Sequence, residues 1–166
     1  MAVYTVSFSE YGARLVLNCF RGGGAGTSIT APTALYIALL TGTATDVDTG
    51  GGFTEFTGYS GTNRPAITFG AAAVAGASAP LTTAQRITST NAPSFSITSS
   101  ATISGIAITT VQLNTTALAY GATGGNVVWY GELTTGTPPS QTATTVAVVN
   151  TDTLTFSIGN ITIDLY

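Results

Sequence analysis

Apolar and small polar residues trade places at every second position along much of this chain. The pattern is clear in "SFSIT" at 94–98, "ATISGIAITTVQL" at 101–113 and "LTFSIGNITIDLY" at 154–166. A period of two puts neighbouring side chains on opposite faces of an extended strand, so these runs predict β-structure with one dry and one wet face. Threonine is abundant within them. Its branched Cβ suits a pleated surface and its hydroxyl keeps an exposed face hydrated. "TALYIALLT" at 33–41 differs: it is apolar throughout and follows Pro32, which predicts a strand buried on both faces. "PAITF" at 65–69 and "TTVAVVN" at 144–150 read as further short strands.

Local breaks in the alternation carry their own expectations. The apolar parity shifts between Ile103 and Ile106 across Gly105, which predicts a bulge. "NVVWYGELT" predicts Val127, Trp129 and Leu133 on one face and Val128, Tyr130 and Glu132 on the other. Near the end, Leu154, Phe156 and Ile158 form one alternating set and Ile161, Ile163 and Leu165 another. Gly159-Asn160 between them fits either a two-residue hairpin or a bulged continuous strand.

One helix is expected, over 7–21. Ser7 and Glu10 have capping-box spacing, and Phe8, Tyr11, Leu15, Val16, Cys19 and Phe20 give one apolar face. Arg21 suits the C-terminal dipole and Gly22 a left-handed cap. A Gly-rich linker follows at 22–31, then a β region at 32–166 with a small-residue loop or arm at 70–92. The 166 residues suffice for one core, so the expectation is a single domain, 1–166. Its expected fold is a mainly β, antiparallel β-sandwich or jelly-roll-like domain with one N-terminal α-helix.

Charge narrows the function. Only 7% of residues are charged, against roughly 25% in an ordinary soluble domain. Lysine and histidine are absent, and the four basic groups are Arg14, Arg21, Arg64 and Arg86. Nucleic-acid binding needs clustered basic residues to neutralise phosphates, and an anionic membrane surface needs the same, so neither partner is expected. Charge repulsion is also what keeps monomers apart, so a nearly neutral exterior predicts a homo-oligomer or other assembly that covers it. The N-terminal "MAVYTVSFSEYG" has no positive n-region, which predicts no secretory signal. The single Cys19 predicts a reduced, buried thiol in a cytoplasm.

"TGTATDVDTGGGFTE" at 41–55 is the stretch most suggestive of chemistry. Counted as a calcium loop from Asp46, Asp48 fits the third position, but Gly50 and Thr57 occupy the fifth and twelfth, where oxygen ligands are needed. "GGG" is followed by no lysine, which removes a phosphate loop. The stretch is therefore expected to be a connection between strands, with a looser site on Asp46, Asp48 and Glu55 as the lesser reading. Without histidine there is no triad base and no Cys/His zinc site, and without lysine no Schiff base. A glycosidase carboxylate pair could be drawn only from scattered acids: Asp46, Asp48, Glu55, Glu132, Asp152 and Asp164. Catalytic, metal and cofactor residues are all expected to be none, and the protein not an enzyme. Trp129, Tyr130 and Tyr59 could stack on a sugar, although core and interface packing account for them more simply.

Three stretches carry a resemblance. They are "APTALYIALLTGTATDVDTGGGFTEFTGYSGTNRPAITFG", "ATGGNVVWYGELT" and "NTDTLTFSIGNITIDLY". Together they resemble a family of small tailed-bacteriophage virion proteins, often labelled tail fibre or structural protein. That family is similar in its P-x-x-L-Y-[VI]-A-L-[LF]-T strand, its G-x-Y-x-R-like element, its G-G-N-hydrophobic strand and its D-T-L-x-F…G-x-I-T-I-x-L close. Residues 70–120 match poorly. The resemblance implies a non-enzymatic virion component, assembled in the bacterial host cytoplasm. With no heptads or shaft repeats, the reading favoured on the sequence is a capsid decoration or cement protein bound to the major capsid protein lattice. The alternative is a tail-associated protein, a tail fibre or fibre-base component, and after it a carbohydrate-binding host-attachment module. "MAVYTV" or the segment 70–85 could pair with a neighbour's strand edge.

Overall fold

The computed structural model describes residues 6–8, 12–13, 16–17, 32–42, 54–74, 85–119, 126–135 and 142–165. Antiparallel β-structure dominates. The largest sheet contains β1 (Val6–Phe8), β2 (Leu35–Thr41), β3 (Thr54–Phe56), β4 (Ala66–Ile67), β9 (Gly105–Thr109) and β10 (Val127–Glu132). Its order is β1-β10-β9-β2-β3, with β4 also paired to β2. The two central strands, β2 and β9, are the most apolar. Ile37, Ala38, Leu39 and Leu40 have no exposed surface, and every residue of β9 is buried. β2 thus lies buried on both faces, as its unbroken apolar run predicts.

Smaller ladders complete the fold. β5 (Ala73–Val74), β6 (Gln85–Thr88) and β15 (Thr162–Leu165) form a three-stranded sheet in the order β15-β6-β5. β7 (Ser94–Ser96) pairs with β14 (Thr153–Thr155), β8 (Ala101–Ile103) with β13 (Val146–Val148), and β11 (Thr134–Thr135) with β12 (Thr142–Ala143). Alternation in β7 is literal: Ser94 and Ser96 are exposed while Phe95 and Ile97 are buried. The main core gathers Ile37, Leu39, Ile106 and Ile108 from the large sheet with Phe95, Ile103, Val148 and Phe156 from the smaller ladders and the segments beside them. Each such side chain contributes about 1.5–3 kcal/mol by leaving water. A second cluster lies on the opposite face of the large sheet, from Ala38, Leu40, Ala107, Val127 and Tyr130, with Leu118 packed against it.

Two backbone corners join these ladders. The chain leaves β3, turns at Gly58, and runs beside β7 through the Tyr59–Ile97 bridge. A Cβ at Gly58 would sit 1.9 Å from Ser99 Oγ and 2.6 Å from the Phe56 ring, so any larger residue here forces both side chains to move. The second corner, at Ser104, divides β8 from β9.

Several sequence expectations are corrected here. The parity shift at Gly105 is not a bulge within one strand. The run breaks at Ser104, with β8 pairing β13 and β9 pairing β10 and β2. A real register shift occurs instead between Val127 and Trp129 in β10. It moves Val127 into the second cluster with Tyr130, while Trp129 packs against the main core, so the predicted face shared by Val127 and Trp129 is wrong. Gly159-Asn160 joins neither a hairpin nor a continuous strand. Residues 157–160 form a turn closed by Asn160 N–H to Ser157 O (3.1 Å), with Gly159 at φ +84°. β14 and β15 then go to different partners, β7 and β6. At the described ends of the segment 70–92 the chain forms strands: β5 and β6 pair with each other and β6 with β15. Residues 75–84 lie outside the described residues.

The expected helix is corrected at its start. Ser7 and Phe8 belong to β1 and pair with Tyr130 and Trp129, so Ser7 is not a helix cap and "MAVYTV" ends in an intramolecular ladder. Gly12, Ala13, Val16 and Leu17 have helical backbone. The rest of 9–21, Glu10 and Cys19 included, and the 22–31 linker lie outside the described residues.

Candidate functional site: a surface loop held by buried polar residues

Glu55 and Arg64 come from one β-region stretch, nine residues apart. Arg64 is 1% exposed. Its Nε donates to Glu55 Oε1 at 2.8 Å and its Nη2 to Glu55 Oε2 at 2.6 Å, a bidentate fork. The other three N–H groups all go to backbone carbonyls. Nη1 donates to Val111 O (2.8 Å) and Leu113 O (2.6 Å), and Nη2 to Thr116 O (2.7 Å). All five guanidinium donors are thereby used, which is what a buried arginine requires.

The same loop is gripped from its other end. Asn126, buried at the start of β10, donates from Nδ2 to Ala117 O at 2.9 Å and accepts from Ala119 N–H on Oδ1 at 3.0 Å. The backbone N–H groups of Asn126 and Val127 both reach Ala119 O. The Thr109 hydroxyl donates to Asn126 O at 2.8 Å, tying this cradle to the central strand β9. Residues 110–119, which carry only an isolated bridge at Leu113, are thus fixed through their main chain.

A turn at 60–63 lies alongside. Arg64 N–H donates to Gln112 O (2.7 Å), and Asn114 N–H to Thr62 O (2.9 Å). Gly61 has φ +86°, which opens this turn in the left-handed region. Beneath it the Tyr59 ring packs edge-on against Phe95, with centroids 5.0 Å apart. Burial pushes the Tyr59 hydroxyl above its usual range. Nearby Asn114 opposes that shift, the Glu55 charge adds to it, and Arg64 opposes it.

The residues singled out from sequence fall as follows. Glu55 faces Arg64 and serves shape. Asp46 and Asp48 lie outside the described residues. Among the described residues, no group of three or more His, Cys, Asp or Glu could hold a metal ion. Tyr59 and Tyr130 are 5% and 6% exposed, so neither offers a ring face to a sugar. Trp129 is half-buried and meets Phe69 edge-on at 6.3 Å. Glu132 lines a cleft of about 640 Å3 with Thr102, Ser104, Thr144 and Thr145, and is the only carboxylate among the described residues lining it. Asp164 stands opposite Arg86 in the β15–β6 register.

Sequence reasoning missed Arg64 and Asn126 as a pair. The available signal was their place in the quoted motifs: Arg64 closes "GYSGTNR" and Asn126 closes "GGN". Both stretches converge on one loop that lies in the poorly matching middle of the chain.

No curated protein matches the chain. A family model described as podophage GP4 fiber I protein gp80 matches residues 7–164. That span takes in the strands of the large sheet from Ser7 onward, both corners, Arg64 and Asn126. The chain belongs to the Gp80 family of podophage fibre proteins, a family of phage virion structural components.

Proposed function

We propose that this protein is a non-enzymatic component of a podophage tail fibre, built as an antiparallel β-sandwich and held in the particle by contacts with other virion proteins and with copies of itself. The observation that carries this reading is the family match over 7–164, whose description names a fibre. It favours the tail-associated alternative over capsid decoration, which rests on the lack of shaft repeats. A compact β module can serve at a fibre base or tip without being a shaft.

The geometry supports the same reading. The best-formed polar constellation, Arg64 with Glu55, holds backbone carbonyls and has no donor left for a substrate. With 7% charged residues, the exterior opposes close contact between subunits only weakly. Assembly would then draw on apolar and backbone surface repeated over several copies.

Cryo-electron microscopy of purified particles tests this. Density for the chain on the tail, at a few to dozens of copies, is the expected result. Hundreds of copies spread over the shell would return the protein to capsid decoration, and absence from purified particles would end both readings.

A further inference from the structure

The cleft beside Glu132 opens where three strand runs part. β8 gives way to β9 at Ser104, β10 runs on into β11, and β12 into β13. Three backbone bonds pin this junction: Ser104 N–H to Leu40 O (2.9 Å), Leu133 N–H to Ser104 O (2.8 Å) and Thr144 N–H to Leu133 O (2.8 Å). Leu40, Gly105 and Glu132 stand in one cross-strand row. Residues directly opposite share a face, and Gly105 brings no side chain to it, which leaves room beside Glu132. The resulting space of about 640 Å3 is walled by Gly42, Thr102, Ser104, Thr144 and Thr145 as well as Glu132. That lies within the ~300–1,000 Å3 of ligand clefts.

The charge of the cleft narrows its ligand. Glu132 is half-buried, and no basic side chain stands among the described residues lining the space. The walls are otherwise hydroxyl-bearing, and the Ser104 hydroxyl already donates to the Gly42 carbonyl. An anion would be repelled there, and an apolar ligand would strip water from the carboxylate without replacing its hydrogen bonds. A divalent metal ion calls for several oxygen ligands, usually with more than one carboxylate, and the described lining holds one. An organic monocation gains charge and hydrogen bonds together. Of the two that proteins carry, a guanidinium wants a planar fork, as Arg64 finds at Glu55. An ammonium is compact, and its three donors can turn towards acceptors that come from separate segments, as they do here.

The sequence contains no lysine. A lysine ammonium in this cleft therefore belongs to a different protein and not to a second copy of the chain. We propose that the cleft receives a lysine side chain of another virion protein, with its ammonium on the Glu132 carboxylate and the hydroxyls of Thr102, Thr144 and Thr145 as further acceptors. The lysine stem lies along the cleft wall while its charged end reaches Glu132. This deepens the fibre reading by giving the chemistry of one contact, and it rests on that reading for the partner being a virion component.

The experiment titrates the full-length chain with Nα-acetyl-lysine methylamide and follows backbone amide shifts by NMR. Saturable shifts at Ser104, Glu132 and Thr144 are expected, with a Kd of roughly 10 mM that weakens severalfold as salt is raised. The arginine analogue should bind more weakly, and the Nε-acetylated neutral probe should not bind. Glu132→Gln should melt at the wild-type temperature and bind at least about tenfold more weakly. Thr145→Lys, which brings an ammonium to the rim, should block the probe as well. The proposal is overturned by no shift at these amides, by equal binding of the neutral probe, by tighter binding of the arginine analogue, by calcium shifting the same amides at lower concentration, or by wild-type affinity in either variant. In purified particles, zero-length carbodiimide coupling should join Glu132 to a lysine, which the sequence requires to be another protein's. Particles that contain the chain but give no such product overturn the proposal alone. The titration needs no particle, so its failure leaves the fibre test untouched, and a failed fibre location leaves the titration standing.

Discussion

The β2–β9 pair and the 110–119 loop are both fixed in place, by opposite means. β2 and β9 are held by apolar burial, with Ile37, Leu39, Ile106 and Ile108 on one face and Ala38, Leu40 and Ala107 on the other. The loop is held by three donors of one arginine, whose other two grip Glu55, and by the amide of one asparagine. Apolar burial is non-directional, so a core tolerates substitutions that conserve volume. A buried polar network is directional, and removing one member strands the others. The two regions should therefore differ in what they tolerate rather than in how rigid they are.

The largest expected effect is Arg64→Ala. It leaves the largely buried Glu55 carboxylate and three loop carbonyls without their partner, a loss of about 3–5 kcal/mol in urea unfolding. Phe95→Ala should cost a similar ~3–5 kcal/mol by leaving a cavity, so deletion alone will not separate the regions. A loss under about 1 kcal/mol for Arg64→Ala would mean that the guanidinium is not what holds the loop.

Conservative substitutions sharpen the contrast. Arg64→Lys keeps the charge but has three donors on a point-like ammonium, too few for five bonds, and should cost about 2 kcal/mol. Ile108→Val in β9 should cost only about 0.5–1.5 kcal/mol. Equal losses by chemical denaturation would erase the distinction between the two regions.

Asn126→Ala probes the loop's other end, with an expected cost of about 1–3 kcal/mol. Hydrogen exchange should then quicken at the amides of Asn114, Thr116 and Ala119 while those of β2 stay protected. Faster exchange in β2 as well would show that loop and sheet open as one unit.

The smallest effect concerns alkaline pH. Burial raises the Tyr59 hydroxyl above its ordinary range, so the folded state holds its proton more tightly than the unfolded chain does. This contribution is complete below the ordinary tyrosine value of about 10 and falls away as pH climbs through the raised folded value. Tyr59→Phe should lose less stability than wild type over that window and behave like it at neutral pH. Parallel melting curves would contradict the assignment.

The two regions also differ in how openly the chain announces them. "TALYIALLT" and "SFSIT" declare their burial through local composition and period, and the structure agrees for Ile37, Ala38, Leu39 and Leu40 in the first and at every position of the second. Val127 and Trp129 part company because one extra residue in β10 inverts the faces, and a shift of that kind leaves no mark on the alternation. The alternation at the end of the chain fits a hairpin or one bulged strand equally, and the structure has neither, because β14 and β15 each find partners more than fifty residues earlier.

The loop frame was hidden for a related reason. Arg64 meets the loop across sequence separations of 47, 49 and 52 residues, and those acceptors are main-chain carbonyls, which every residue type supplies. Strand identity, the double burial of β2 and the nearly uncharged exterior follow from residue type and spacing, because burial and periodicity are properties of a few neighbouring positions. Which strands pair, where the chain changes sheets and what Arg64 grips were decided only when distant segments met, because hydrogen-bond partners are chosen in space and not along the chain.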